Sequence, residues 1–79
     1  MENESISTQY VLVFRTNIRH NDDIRQLAPT LDGCLGILRW SVDLTDVDKV
    51  LRIESQDDDH SKVIGLMNTA GYFCEELLD

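Results

Sequence analysis

Cations are scarce in this chain: seven Lys and Arg stand against fifteen Asp and Glu, a formal charge of −8 over 79 residues. Nucleic acids and anionic bilayers are bound through a basic face that releases counterions from phosphate, and so few cations cannot build one. Both are therefore excluded as general partners. Long apolar runs are also missing. The longest, Tyr10 to Phe14, is too short to span a bilayer. The opening Met1-Glu2-Asn3-Glu4-Ser5 is acidic and polar, without the basic-then-apolar order of a secretory leader, so a cytoplasmic location is expected. Only Cys34 and Cys74 carry thiols, and neither belongs to a CxxC pair. That removes zinc-finger and thioredoxin-type signatures, and secreted disulfide scaffolds of this length usually carry more cysteines. What remains is ordinary for a folded protein, with 42% apolar and 28% charged residues. A chain of this length is one small domain, burying about 60% of the surface its unfolded form exposes.

Residues 1–8 are polar and are expected to form a flexible tail, leaving 9–79 as the single domain. Gln9 to Thr16 is dense in β-branched and aromatic residues and apolar on both faces over its centre, the pattern of an interior strand. Asn17 to Asp23 reads as a polar loop whose Asn21, Asp22 and Asp23 offer caps to a helix. Ile24, Leu27, Ala28 and Leu31 then share one helical stripe. Pro29 interrupts it, predicting a kink or two short pieces. Gly33 and Gly36 mark the exit. From Ile37 to Leu44 the chain alternates, with Leu38, Trp40, Val42 and Leu44 on one face and Arg39, Ser41 and Asp43 on the other. After a turn over Thr45 to Asp48, Lys49 to Glu54 alternates again, completing an antiparallel hairpin. The acidic stretch Ser55 to Asp59 caps a second helix whose stripe is Val63, Leu66, Met67 and Ala70, widened by Ile64 and closed by Gly71. Gly65 inside it suggests close approach of a neighbour. Tyr72 to Leu78 reads as a last short strand. The order βαββαβ is the ferredoxin-like α+β pattern, two helices on one face of a four-stranded antiparallel sheet.

Three stretches resemble the heavy-metal-associated domain of copper chaperones. Gly36-Ile37-Leu38-Arg39-Trp40-Ser41-Val42-Asp43-Leu44 follows that family's G-V-x-x-V-x-V-x-L strand, Lys49 to Ile53 its next strand, and Ile64 to Tyr72 its I-x-x-x-G-Y helix end. The resemblance spans about 9–78 and implies a sheet ordered 4-1-3-2. In that sheet Cys34 and Cys74 lie at opposite edges and ends, too far apart for a disulfide, so free thiols are expected. The family carries its metal on M-x-C-x-x-C between the first strand and the first helix. Fitting from the first strand puts Asn17 and His20 in the cysteine places; counting back from Gly36 puts His20 and Asp23 there. Neither register supplies a thiolate, the soft ligand that monovalent copper selects. The resemblance therefore implies the scaffold with a degenerate metal site.

Asn17, His20 and Asp23 are accordingly the candidate metal residues. The fold brings His20, Asp22 and Asp23 to one end with Asp46, Asp48 and Tyr72, where a borderline divalent ion could use one imidazole and one or two carboxylates. The plainer reading makes His20 a solvated loop residue and the aspartates caps and turn formers. His60 begins the second helix at the opposite end. Asp57-Asp58-Asp59 lacks the spacing of a calcium loop. No Gly-rich phosphate loop or nucleophile elbow is present and no motif points to a cofactor, so a non-enzymatic protein is expected. The open sheet face and the loop end around His20 are the surfaces for an unknown protein partner, homodimerisation being one form; a divalent metal-ion carrier using His20 with Asp22, Asp23 or Asp48 is the rival.

Overall fold

Four strands and two helices follow one another as β1 (Tyr10–Thr16), α1 (Asn21–Asp32), β2 (Ile37–Asp43), β3 (Val50–Ser55), α2 (His60–Thr69) and β4 (Cys74–Glu76). The computed structural model describes residues 9–78; the expected tail, 1–8, lies outside them. The strands form one antiparallel sheet ordered β2-β3-β1-β4, the expected order read from the other edge.

β1 lies inside the sheet between β3 and β4, and its alternation sorts its side chains between the two faces. Leu12, Phe14 and Thr16 are buried on the helix side, with Leu51, Ile53 and Ser55 of β3 and Cys74 of β4. Leu27 and Leu31 of α1 and Val63 and Met67 of α2 close this core from above. Apolar side chains fill both sides of the layer, and their burial is the main favourable contribution to the fold. Val11, Val13 and Arg15 point to the opposite, helix-free face, as the period of two dictates.

Five details depart from the sequence-based expectation. An irregularity in the β2–β3 register sets Ile37 opposite Ser55 but Arg39 opposite Glu54. The bulge turns Leu38 out of the core, 46% exposed, and Ile37 packs there in its place beside Trp40, Val42 and Leu44. The proline does not divide α1, which runs unbroken through Pro29. Pro29 and Arg25 both lie on the exposed side of the helix, where water can serve the carbonyl that lacks its helical donor. Gly65 meets no neighbour: a Cβ there would find nothing within 4 Å. The last strand is shorter than Tyr72 to Leu78, because Tyr72 and Phe73 are drawn into contacts described below; one ladder-like bond, Leu77 N–H to the Val13 carbonyl at 2.9 Å, extends beyond it. Ile18, within the supposed polar loop, is fully buried.

The helix ends are capped as their sequences suggest. Asp59 accepts from the Lys62 amide at 3.1 Å and opens α2. At its other end the Tyr72 amide bonds the Met67 carbonyl at 2.9 Å and the Gly71 amide the Asn68 carbonyl at 3.0 Å, with Gly71 at φ +95°. This is the Schellman arrangement, which favours glycine because its left-handed backbone costs a side chain energy. Among the described residues no helix is long and apolar enough to cross a membrane.

Candidate functional site

Three segments meet where β1 ends: the loop into α1, the β2–β3 turn and the entry to β4. The Thr16 hydroxyl holds them together. It donates to the Lys49 carbonyl at 2.6 Å and accepts from the buried Ile18 amide at 3.2 Å, while the Thr16 amide bonds the Asp48 carbonyl at 3.0 Å. Lys49 takes φ +47° to close the turn, and its ammonium donates to the Leu44 carbonyl at 2.8 Å.

Asn17 accepts from the Phe73 amide at 2.9 Å through Oδ1, fastening the entry of β4 to the loop. His20 is the extended N-cap residue of α1 and is exposed. Asp23, in the first helical turn, accepts from the Arg19 and His20 amides at 3.0 and 3.1 Å through one oxygen, and from the Tyr72 hydroxyl at 2.8 Å through the other. The Arg19 amide, then the Tyr72 hydroxyl and the His20 amide, hold the Asp23 carboxyl below its ordinary value, and the same bond to Asp23 is the main cause that raises the Tyr72 phenol. Three of roughly four acceptor positions on this carboxylate are thus occupied by the protein.

The remaining acids at this end have partners of their own. Asp22 pairs with Arg25 at 2.8 Å, Asp46 accepts from the Asp48 amide at 2.8 Å, and Asp48 lies 3.7 Å from Arg15, which also meets Glu75 at 3.3 Å. Asn17, His20 and Asp23 share this end, as expected, but among the described residues no three of His, Cys, Asp and Glu gather closely enough to hold a metal ion. His60 starts α2 elsewhere, near Glu76 at 3.4 Å. Asp59 caps α2 and Asp57 pairs with Lys62 at 3.0 Å. Cys34, half-buried before β2, and Cys74, opening β4 at the far edge, are free thiols. Burial pushes the Cys74 thiol up to about 12, so it stays protonated and inert at neutral pH.

Two apolar residues stand out from this platform: Val47, 91% exposed at the hairpin tip, and Phe73, 49% exposed. Neither was singled out from the sequence, where a lone valine among aspartates reads only as part of a turn. The helix-free sheet face adds a shallow depression of about 440 Å³, lined by Val13, Val50 and Leu77 and edged by Arg52, Asp43 and Asp46. Arg15, Arg39 and Arg52 alternate there with Asp43, Glu54 and Glu75, three cations against three anions on a chain of net charge −8.

No family model and no curated protein matches this chain. Among solved structures, the apo form of the HMA domain of the copper chaperone for superoxide dismutase superposes with a TM-score of 0.73 at 18% identity, covering 99% of this chain and 79% of that one. The chain shares the fold of that domain. That agreement supports the architecture read from the βαββαβ order, and at this identity it is a likeness of fold alone.

Proposed function

We propose that this chain is a non-enzymatic protein-interaction domain, an HMA scaffold whose cargo loop has become a hydrogen-bonded platform. The observation that carries the reading is Asp23, whose carboxylate is already engaged by two amides and the Tyr72 hydroxyl. The register that places His20 and Asp23 in the cysteine positions also puts Ile18 in the methionine position, and Ile18 is fully buried. The alternative register would put exposed Arg15 there. An imidazole beside an occupied carboxylate is a poor match for monovalent copper, which favours sulfur. The open face, with Val11, Val13 and Val50 among arginines and acids, is the surface offered to a partner.

Titration with zinc, nickel and monovalent copper, followed at the His20 ring by NMR, tests the platform. No saturable shift is expected up to about 1 mM ion. Saturation at micromolar ion would replace this reading with divalent-metal carriage through His20 and Asp22, Asp23 or Asp48. The surface is tested by affinity capture from cell extract with wild-type and Val13→Glu baits. Proteins retained by the first and lost with the second are the expected result; identical retention would sink the assignment of this face.

A further inference from the structure

The sheet has two outer strands, and they differ. At one edge, β4 is three residues long and carries adjacent Glu75 and Glu76, a short acidic edge that resists pairing with a copy of itself. At the other, β2 is seven residues long, contains neither proline nor lysine, and neighbours only β3 among the described residues. Its outer N–H and C=O groups offer a template for another strand; its bulge lies at the start, before Arg39, and the charges of Arg39 and Asp43 are of opposite sign, so the stretch from Arg39 to Asp43 stays open to pairing.

From Arg39 to Asp43 the side chains read Arg-Trp-Ser-Val-Asp, a pattern complementary to its own reverse. We infer that the outer edge of β2 pairs antiparallel with the same edge of a second copy of this chain, about a twofold axis at Ser41. In that register each Arg39 stands opposite the other copy's Asp43 on the open face, twice over. On the helix face each Trp40 stands opposite the other copy's Val42. Opposite charges and aromatic–β-branched pairs are the cross-strand combinations that stabilise antiparallel sheets. Centring the pair one residue to either side sets Arg39 or Asp43 against Ser41 and leaves its charge unmatched, so the charges also fix the register.

The side chains are available for this. Arg39 and Asp43 are exposed, and neither belongs to an ion pair among the described residues. Asp43 accepts from the Thr45 amide and hydroxyl at 2.9 and 2.6 Å, which keeps it ionised. Trp40 and Val42 pack against the core without being fully buried, and the Trp40 indole N–H donates to Asp32 at 2.7 Å, which fixes the ring. The product is an eight-stranded sheet with its helix-free face doubled and continuous. Five paired residues bury less than the roughly 1,200 Å² of a stable complex, so the dimer is transient and concentration-dependent. It extends the interaction reading with a defined partner, a second copy, at an edge distinct from the Val13 surface.

Sedimentation equilibrium up to about 1 mM chain tests it, with Arg39→Asp and Asp43→Arg alone and mixed. Each variant alone sets two like-charged pairs across the axis and is expected to weaken dimerisation about tenfold or more. The mixture sets two opposite pairs, and its heterodimer is expected within about threefold of wild-type affinity. Native-like amide NMR dispersion confirms that each variant is folded. Asp43→Asn, which keeps an acceptor for Thr45, gives an independent loss of affinity if Asp43→Arg disturbs the turn. A strictly monomeric wild type, undiminished pairing of Arg39→Asp, or a mixture no tighter than its components would overturn the inference. The Val13→Glu capture experiment would still decide the interaction reading on its own.

Discussion

Thr16 shows how much one hydroxyl can settle. Only 8% exposed, it answers the Lys49 carbonyl on one side and the Ile18 amide on the other, so the hairpin turn and the loop into α1 share a single anchor. Thr16→Val preserves shape and strand propensity while removing both bonds. It strands the amide of a fully buried residue, and a buried unsatisfied polar group costs about 1–3 kcal/mol. Urea unfolding should show that loss, Thr16→Ser should recover most of it, and hydrogen exchange at Ile18 should quicken in the valine variant. A valine variant as stable as wild type would mean that water replaces the hydroxyl. Nothing in the sequence marked this pair, because a threonine ending a strand signals only β propensity and Ile18 sits alone among polar neighbours. Asp23 was legible as a capping acid. Its bond to Tyr72 was not, since it joins residues 49 positions apart.

At the scale of elements, two glycines of one helical region make opposite demands. Gly65 lies inside α2 with open space where a Cβ would go, so Gly65→Ala should stabilise the protein by about 1 kcal/mol through helix propensity. Gly71 sits at φ +95° in the Schellman turn, so Gly71→Ala should destabilise it by about 1–2 kcal/mol despite equal room for the methyl. Thermal unfolding of the two variants side by side checks both signs; a shift in the same direction for both would refute the backbone argument. Periodicity revealed these elements well. The apolar β1 run foretold an interior strand, the alternation of Trp40, Val42 and Leu44 foretold a one-sided strand, and the helical stripes located Leu27, Leu31, Val63 and Met67, while Leu66 and Ala70 of the second stripe stay outside the core and Ala70 is exposed. It failed at Leu38, since a bulge inserts one residue without changing composition and reverses the phase of everything before it. Of the kink or division that Pro29 foretold, the division is absent. A proline on the solvent side of a helix leaves its orphaned carbonyl to water, and the helix continues.

The whole molecule carries a charge of −8, yet its response to pH is set by a few groups whose environments differ between the folded and unfolded chain. Asp23, Asp43 and Asp57 are held below their ordinary value of 3.8, chiefly by the Arg19 amide, the Thr45 hydroxyl and the Lys62 ammonium respectively. Their contribution is present above that value and is lost as pH falls through the lower folded values, so the acid decline begins below about pH 4. The alkaline side runs the other way. Cys74, 6% exposed, titrates at about 12 when folded against 9.0 in the free thiol, so the stability it contributes is complete below 9.0 and disappears as pH rises through 12. Tyr72 and Lys62 are also raised, from 10.0 and 10.5, by Asp23 and Asp57, and join only above those values. The interval between 9.0 and 10.0 therefore belongs to Cys74 among these groups. Denaturation midpoints measured against pH should be level near neutrality and begin to fall above 9.0 in the wild type. Cys74→Ala lowers the level everywhere by leaving a small cavity, but it should flatten the fall between 9.0 and 10.0 and leave the acid limb unchanged. An equally steep fall in the alanine variant would show that the Cys74 thiol is not the group that resists ionisation in the folded chain.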